Sequence, residues 1–370
     1  MEPVKILFGI DSLVRGGTEL QLKEMISRID RDKYIPYLIT IQPTDASLTP
    51  KECIHIEWDI PKLISINGFK AMLKLSRLMR DEKIQVVQTF FQDSTIFVGL
   101  AAWIAGVQVR LASCRDMGFW HTALQGLVMK VVYRSMTGYI CNARIVRDHF
   151  IKQFKINVNK AYVLSNGVDE KLLPYVDHIG PVTDIGIVGN MTRQVKRIDL
   201  FIKAASLVAK EYPNIRWHIV GDGYLRPQLE VLAAEQGVRN SIVFAGRVDN
   251  VTDYLQQLQI GVICSDSEGL SNAIIEYMFR GVAAVVTDVG GNPELVQEGK
   301  TGMLVPPDDA QAIADKLKLL IRDTELRRRL AISAREHVEK NYSWDKCLNE
   351  SYQIYTKQLS KKLRNAVNNA

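Results

Sequence analysis

The sequence predicts an α/β protein of two domains, each a parallel sheet with helices on both faces. Three observations carry this. The chain has 370 residues, long for one domain and suited to two, with 47% hydrophobic and 24% charged residues as in ordinary globular proteins. Short apolar runs alternate with helical patterns in two successive series. Between the series, Pro174 to Thr183 weakens into Pro, Asp, His and Gly, which reads as an interdomain linker.

The first series opens with Lys5 to Ile10, an apolar run ending in Asp11, and a helical pattern begins near Glu19. Arg15, Gly16, Gly17 and Thr18 lie between them, and adjacent glycines at a strand-to-helix turn allow close backbone approach to a ligand. They lack the three spaced glycines of a dinucleotide fingerprint, and a glycine pair also serves as a plain turn. Strand candidates follow at Tyr37 to Ile41, Val86 to Phe90, Val109 to Cys114, Tyr139 to Cys141 and Ala161 to Leu164, with helices at Phe69 to Met79 and Leu124 to Tyr133. Ile96 to Val107 is too short to span a bilayer, which needs about 20 residues, so it reads as a buried helix. Ligands of such sheets gather beyond the carboxyl ends of the strands, where Arg115, Asp116 and His121 stand. Those three serve equally as a local ion pair and its surroundings.

The second series places strands at Asp184 to Val188, Arg216 to Val220, Ile242 to Phe244, Ile260 to Cys264 and Ala283 to Thr287. A basic loop, Gly189 to Arg197, follows the first of these, and it holds Asn190, Arg193 and Lys196. Between the last two runs the pattern breaks at Ser265 to Gly269 and resumes as a helical pattern from Asn272 to Arg280, stopped by Gly281. Ser271 is a suitable N-cap. Unpaired amides and the helix dipole at that point favour a phosphate, with Glu268 before it and Glu276 five residues beyond the cap. Spacing alone does not separate this arrangement from a solvated loop carboxylate and a helix-surface charge.

A net charge of +6, dispersed along the chain, favours anionic ligands without requiring nucleic acid. Five scattered cysteines show neither a disulfide framework nor paired metal spacing, which suits a reducing, cytoplasmic setting. Met1 to Ile10 lacks the pattern of a secretory leader. From Lys62 to Lys83 the chain carries Lys62, Lys70, Lys74, Arg77, Arg80 and Lys83 against Asp81 and Glu82, interleaved with apolar residues. That pattern fits either peripheral contact with the inner face of a membrane or a solvated basic helix.

Taken in order, Gly16-Gly17-Thr18-Glu19, Asn166-Gly167-Val168-Asp169, Val220 to Gly223, Phe244-Ala245-Gly246, the Glu268 and Glu276 pair, Gly290-Gly291 with Glu294, and Thr301-Gly302 with Val305-Pro306 resemble a retaining glycosyltransferase of family 4. The resemblance covers most of the chain. It implies the GT-B architecture: two Rossmann-like domains facing a cleft, residues 1–178 binding acceptor and 179–344 binding the nucleotide-sugar donor. A final helix, about 345–363, would cross back to the N-terminal domain after Tyr342, Ser343 and Trp344.

The resemblance also implies roles. Glu268 would face the donor sugar, the amides of Gly269, Leu270 and Ser271 the sugar or diphosphate, and Glu276 the ribose. Arg247 and Val248 would lie near the base and Lys196 on the diphosphate, with Gly16 and Gly17 beside the donor. The family's arginine after the first loop glycine is Asn190 here, which leaves that role to Arg193. The implied reaction moves a sugar from a nucleoside diphosphate donor, a UDP-sugar first, to a hydroxyl of a saccharide or lipid-linked saccharide. A leaving phosphate oxygen would take the acceptor's proton, so no cofactor or metal is expected. A nucleotide-sugar epimerase of the same architecture and a non-catalytic sugar-nucleotide binding protein are the alternatives.

Overall fold

The structure, a computed structural model, describes residues 2–367 apart from 15, 61, 62, 64, 117–122, 170, 172 and 249. It divides into two compact units, one of Met1–Gly167 with Trp344–Ala370 and the other of Val168–Ser343.

The first unit is built on strands β1 (Val4–Ile10), β2 (Tyr34–Thr40), β3 (Ile54–Glu57), β4 (Val86–Phe90), β5 (Val109–Cys114), β6 (Gly138–Cys141) and β7 (Ala161–Val163). They form one seven-stranded sheet in the order β3-β2-β1-β4-β5-β6-β7, with every pair parallel. Parallel pairing demands crossovers, supplied by α1 (Gly17–Arg28), α2 (Ile66–Asp81), α3 (Gln92–Ala105), α4 (Ala123–Ser135) and α5 (Arg144–Phe154). The expected buried helix is α3: it sinks Phe97, Val98, Ala101 and Ala102 into the core, while Trp103 at its end is exposed.

The second unit repeats the plan with β8 (Asp184–Val188), β9 (Arg216–Val220), β10 (Ile242–Gly246), β11 (Ile260–Ile263), β12 (Ala283–Thr287) and β13 (Met303–Val305). Its parallel sheet has the order β10-β9-β8-β11-β12-β13. Around it run α6 (Ile198–Ala209), α7 (Arg226–Glu235), α8 (Val251–Leu255), α9 (Asn272–Arg280), α10 (Asn292–Leu295), α11 (Ala310–Arg322) and α12 (Thr324–Asn341). Its core joins Ile185, Ile187, Trp217, Ile219, Val262 and Val285 of the sheet to Phe201 of α6 and Leu317 of α11.

The boundary falls at Gly167/Val168 rather than at 178/179. Pro174 to Thr183 reads as a linker because it is irregular, yet its backbone is held by the second unit. Arg280 donates to Pro174 O at 3.0 Å, Val176 N to Arg280 O at 3.1 Å, and the buried Arg327 to Gly180 O at 2.6 Å. The last helix, α13 (Trp344–Val367), returns to the first unit. Tyr355, fully buried, donates to Gln88 Oε1 of β4 at 2.6 Å, and Tyr352 stacks on Tyr34 with ring centroids 4.9 Å apart. Trp344 packs so closely on Gly167 that a Cβ there would lie 2.4 Å from the indole.

Candidate active site

In an open parallel sheet the loops diverge where the strand order reverses, and ligands enter that crevice beyond the carboxyl ends of the strands. In the second unit the reversal lies between β8 and β11. The two loops that meet there are Gly189 to Arg197 and Cys264 to Ser271, which carry the principal residues singled out in the sequence.

The first loop is shaped by its neighbour after β9. Gly189 N donates to Val220 O at 2.9 Å and Met191 N to Asp222 O at 3.0 Å. Gly221 and Gly223 have φ of +139° and +159°, and a Cβ on either would come within 2.3 Å of the backbone of Gly189 or Met191. The glycines therefore act through close packing of loop on loop. The loop then tightens into a 3-10 turn, Gln194–Lys196, which delivers Lys196 Nζ to Glu268 Oε1 at 2.6 Å.

Glu268 is held from three directions. Ser265, buried at the end of β11, donates its hydroxyl to Glu268 Oε1 at 2.6 Å, and Thr287 Oγ1 of β12 donates to Ser265 O at 2.7 Å. Gly290, with φ +53°, lies so close that a Cβ would stand 1.8 Å from Glu268 O, and Gly291 N donates to that oxygen at 3.3 Å. The first of the paired glycines after β12 thus has a steric reason.

Ser271 occupies the N-cap of α9 in extended backbone, but its hydroxyl makes no capping hydrogen bond, and the first turn holds no acidic residue. The expected cap is met in position and not in bonding. Gly269, Leu270 and Ser271 are all buried. Glu276 follows on α9, its carboxylate making no hydrogen bond or ion pair to another described residue. The residue keeps part of its surface, yet its carboxyl is crowded by protein, and burial pushes its pKa from 4.5 to about 7. A carboxylate desolvated without a partner is costly in a folded chain and marks a candidate functional group.

The remaining expected residues are more dispersed. Asn190 is exposed. Arg193, also exposed, lines a cavity of about 200 Å³ with Met191, Ile198, Leu225 and Leu229, whose walls include neither Lys196 nor Glu268. Arg247 is exposed and Val248 half-buried just after β10, where Gly246 O accepts from Gly221 N at 2.9 Å.

Gly16 and Gly17 belong to the first unit, not to the one holding Lys196, Glu268 and Glu276. Gly16 is the N-cap of α1, and a Cβ there would meet the carboxylate of Glu19 at 2.4 Å. That unit reverses its strand order between β1 and β4. There Asp11 accepts from Ser94 N of α3 at 2.7 Å, and its pKa rises to about 6, chiefly through burial. Arg115 donates to Asn166 Oδ1, and burial lowers its pKa to about 10. Asp116 is half-buried beside it, and His121 lies outside the described residues. The sequence shows Asp11 only as the end of the first apolar run, and its burial and its bond to Ser94 N make it a further candidate.

Residues 182–323 match the model for Glycosyl transferases group 1, and residues 15–172 that for Glycosyltransferase Family 4. A Campylobacter jejuni enzyme, GalNAc-alpha-(1->4)-GalNAc-alpha-(1->3)-diNAcBac-PP-undecaprenol alpha-1,4-N-acetyl-D-galactosaminyltransferase, is 32% identical over 347 residues, 90% of this chain and 93% of the relative. The chain belongs to glycosyltransferase family 4. This glycosyltransferase is also 27% identical over 206 residues to the N-acetyl-alpha-D-glucosaminyl L-malate synthase of Bacillus anthracis, an alignment covering 56% of the chain and 50% of that relative. Its GT-B fold matches the HepE protein of Anabaena, crystallised in complex with UDP, with a TM-score of 0.83 at 18% identity, covering 96% of this chain and 100% of that one. A glycosyltransferase from Rickettsia africae gives a TM-score of 0.83 at 19% identity, covering 97% and 99%.

Proposed function

We propose that this enzyme moves a sugar from a UDP-sugar to a hydroxyl of a saccharide or lipid-linked saccharide, with retention of configuration, in a pathway of polysaccharide type. The observation that carries the reading is the β8/β11 crevice, where Lys196 meets Glu268 at 2.6 Å beside the uncapped start of α9 and the unpartnered Glu276. A nucleoside diphosphate satisfies each of these groups. Its phosphates supply the anion that Ser271 and the first turn leave unmatched, its ribose hydroxyls donate to Glu276, and Lys196 exchanges Glu268 for a phosphate oxygen. The HepE protein was crystallised with UDP and with UDP-glucose, and the Campylobacter relative's name specifies an undecaprenol-linked acceptor, which supports both halves of the reading.

In this reading the second unit binds donor and the first binds acceptor. Glu268, freed from Lys196, accepts from hydroxyls of the donor sugar. As the bond from the anomeric carbon to the phosphate oxygen breaks, Lys196 and the amides of Gly269 to Ser271 oppose the charge that develops on the diphosphate. The bond from the anomeric carbon to the acceptor oxygen forms on the same face, and the acceptor's proton passes to the departing phosphate oxygen. Asp266 and Glu268 are each paired with a cation, Arg197 at 3.0 Å and Lys196 at 2.6 Å, so the acidic triplet Asp266-Ser267-Glu268 is proposed to act without a divalent metal. Arg193 is kept as a second cation for the diphosphate, with Arg247 and Val248 near the base.

Peripheral membrane contact is part of the proposal for the acceptor side. On α2, Lys70, Lys74, Arg77 and Arg80 are exposed with Ile66 and Phe69, a basic and apolar combination suited to anionic lipid. Lys62 and Ile64 of that stretch lie outside the described residues. Among the described residues no helix is long and apolar enough to cross a membrane.

A panel of nucleoside diphosphate sugars, offered with and without a polyprenyl diphosphate-linked saccharide, tests the activity, with NMR reading the anomeric configuration of the product. Transfer from a UDP-sugar with retention is expected. Conversion of the donor's sugar without acceptor would establish the epimerase instead, and an inverted product would overturn the mechanism. Flotation with anionic vesicles at low salt tests the membrane contact, and a protein that stays unbound refutes it.

A further inference from the structure

The contact between Lys196 and Glu268 joins side chains on two loops, and the residue that follows Lys196 reaches across the same gap. Arg197 donates from Nε to Asp199 Oδ1 at 3.0 Å and from Nη2 to Asp199 Oδ2 at 3.2 Å. Its Nη1 donates to Asp266 Oδ1 at 3.0 Å, and its Nη2 also to Asp308 Oδ1 at 2.7 Å. One guanidinium thus ties together the start of α6, the loop after β11 and the segment after β13, with its side chain 19% exposed. A second tie runs in parallel, because Asp266 N donates to Val195 O at 2.9 Å.

The backbone at these points is also unusual. Arg197 has φ 47° and ψ 45°, and Asp308 has φ 59°, so two non-glycine residues in the left-handed region are partners in one ion pair. Residues hold that conformation when their surroundings over-determine it, and four charge-assisted hydrogen bonds on one planar guanidinium do so here. A glycine would adopt φ 47° at position 197 without strain, yet it would leave three carboxylates facing one another.

We propose that Arg197 is a positioning residue for the transfer reaction: its guanidinium clamps Asp199, Asp266 and Asp308 so that Lys196 and Glu268 stay in register. Lys196 and Asp266 are the immediate chain neighbours of the clamp and of Ser267-Glu268, so little slack remains between the clamp and the reacting groups. The clamp matters most when donor is bound. On the donor reading above, on which this inference rests, Lys196 then leaves Glu268 for a phosphate oxygen, and of the ties between the loops the Lys196–Glu268 contact is lost while the Asp266 N to Val195 O bond remains. Arg197 still joins them from the side chains, and it screens the carboxylates of Asp199, Asp266 and Asp308 from the incoming diphosphate.

Arg197→Gly removes the guanidinium while easing the backbone, and Arg197→Lys keeps a charge that cannot span three carboxylates. Amide hydrogen exchange on the unliganded chain reads the clamp directly. Peptides covering 189–197 and 264–271 should exchange about tenfold faster in Arg197→Gly, intermediate in Arg197→Lys, with β8 and β9 unchanged. Titration with UDP as probe should show about tenfold weaker binding for Arg197→Gly and partial recovery in Arg197→Lys. Wild-type exchange at both loops, acceleration throughout the unit, or undiminished UDP binding by Arg197→Gly would overturn the inference. A wild-type enzyme that ignores UDP would remove the donor reading alone, and the exchange rates would still decide the clamp.

Discussion

Glu276→Gln should stabilise this enzyme and at the same time weaken its hold on donor. In the unliganded protein burial raises the Glu276 carboxyl from 4.5 to about 7. Between those values the folded chain retains a proton that the unfolded chain has released, so stability falls as pH rises through the window and levels off above about 7. At about 1.4 kcal/mol per pH unit the displacement corresponds to roughly 3 kcal/mol, and the solvent still reaching the residue reduces this to about 2 kcal/mol. Glutamine has the same shape and no charge to desolvate. Thermal unfolding at pH 5 and pH 8 reads the difference. The variant should melt near wild type at pH 5 and roughly 4–8 °C above it at pH 8, given about 2–4 °C per kcal/mol for a domain of this size. If Glu276 were an ordinary structural charge, its loss would lower the melting temperature or leave it unchanged at pH 8, and either result refutes the reasoning.

Lys196→Ala should lower turnover by about 10²–10³, the loss typical of one preorganised donor to a developing oxyanion, and magnesium should not restore it. In the same assay a chelator should leave the wild-type enzyme active, and activity abolished by chelator and regained with manganese would refute the metal-free proposal. Gly290→Ala places a Cβ at a φ of +53° and 1.8 Å from Glu268 O, so the Glu268 loop must move. A cost of about 1–3 kcal/mol in stability is expected, seen as a lower denaturant midpoint, together with weaker donor binding. Ser265→Ala removes one hydrogen bond to Glu268, worth about 1 kcal/mol, and should raise the donor KM about fivefold. An unchanged KM would show that Ser265 only fills space.

The fold was legible because strands buried on both faces of a parallel sheet must be continuous apolar runs. Lys5 to Ile10, Val86 to Phe90 and Ala283 to Thr287 announce themselves in this way, and they are β1, β4 and β12. The edge strands β3 and β13 did not. The first is a half-exposed Ile-His-Ile-Glu, the second has three residues, and neither has the length or the apolarity to stand out. The division at Gly167 was hidden for a different reason. Arginines 280, 327 and 335 satisfy the carbonyls of Pro174, Gly180 and Leu173 from positions more than a hundred residues away, and local composition cannot report that. At the candidate site, residues with a family pattern, Lys196 and Glu268 on loops and Glu276 on α9, could be picked out. The arrangement that holds them was not, because Arg197 meets Asp266 and Asp308 at separations of 69 and 111 residues, and Gly290 meets Glu268 only once β12 lies beside β11.

The most direct test of the donor site is calorimetric titration of UDP against the wild-type enzyme and Glu276→Ala, at pH 8 and without divalent metal. In the proposed donor site Glu276 would offer the ribose a charged acceptor, worth about 1.5–3 kcal/mol. Saturable binding by wild type and roughly 10–100-fold weaker binding by the variant are expected. Equal affinities would take Glu276, and with it the β8/β11 crevice, out of the donor site.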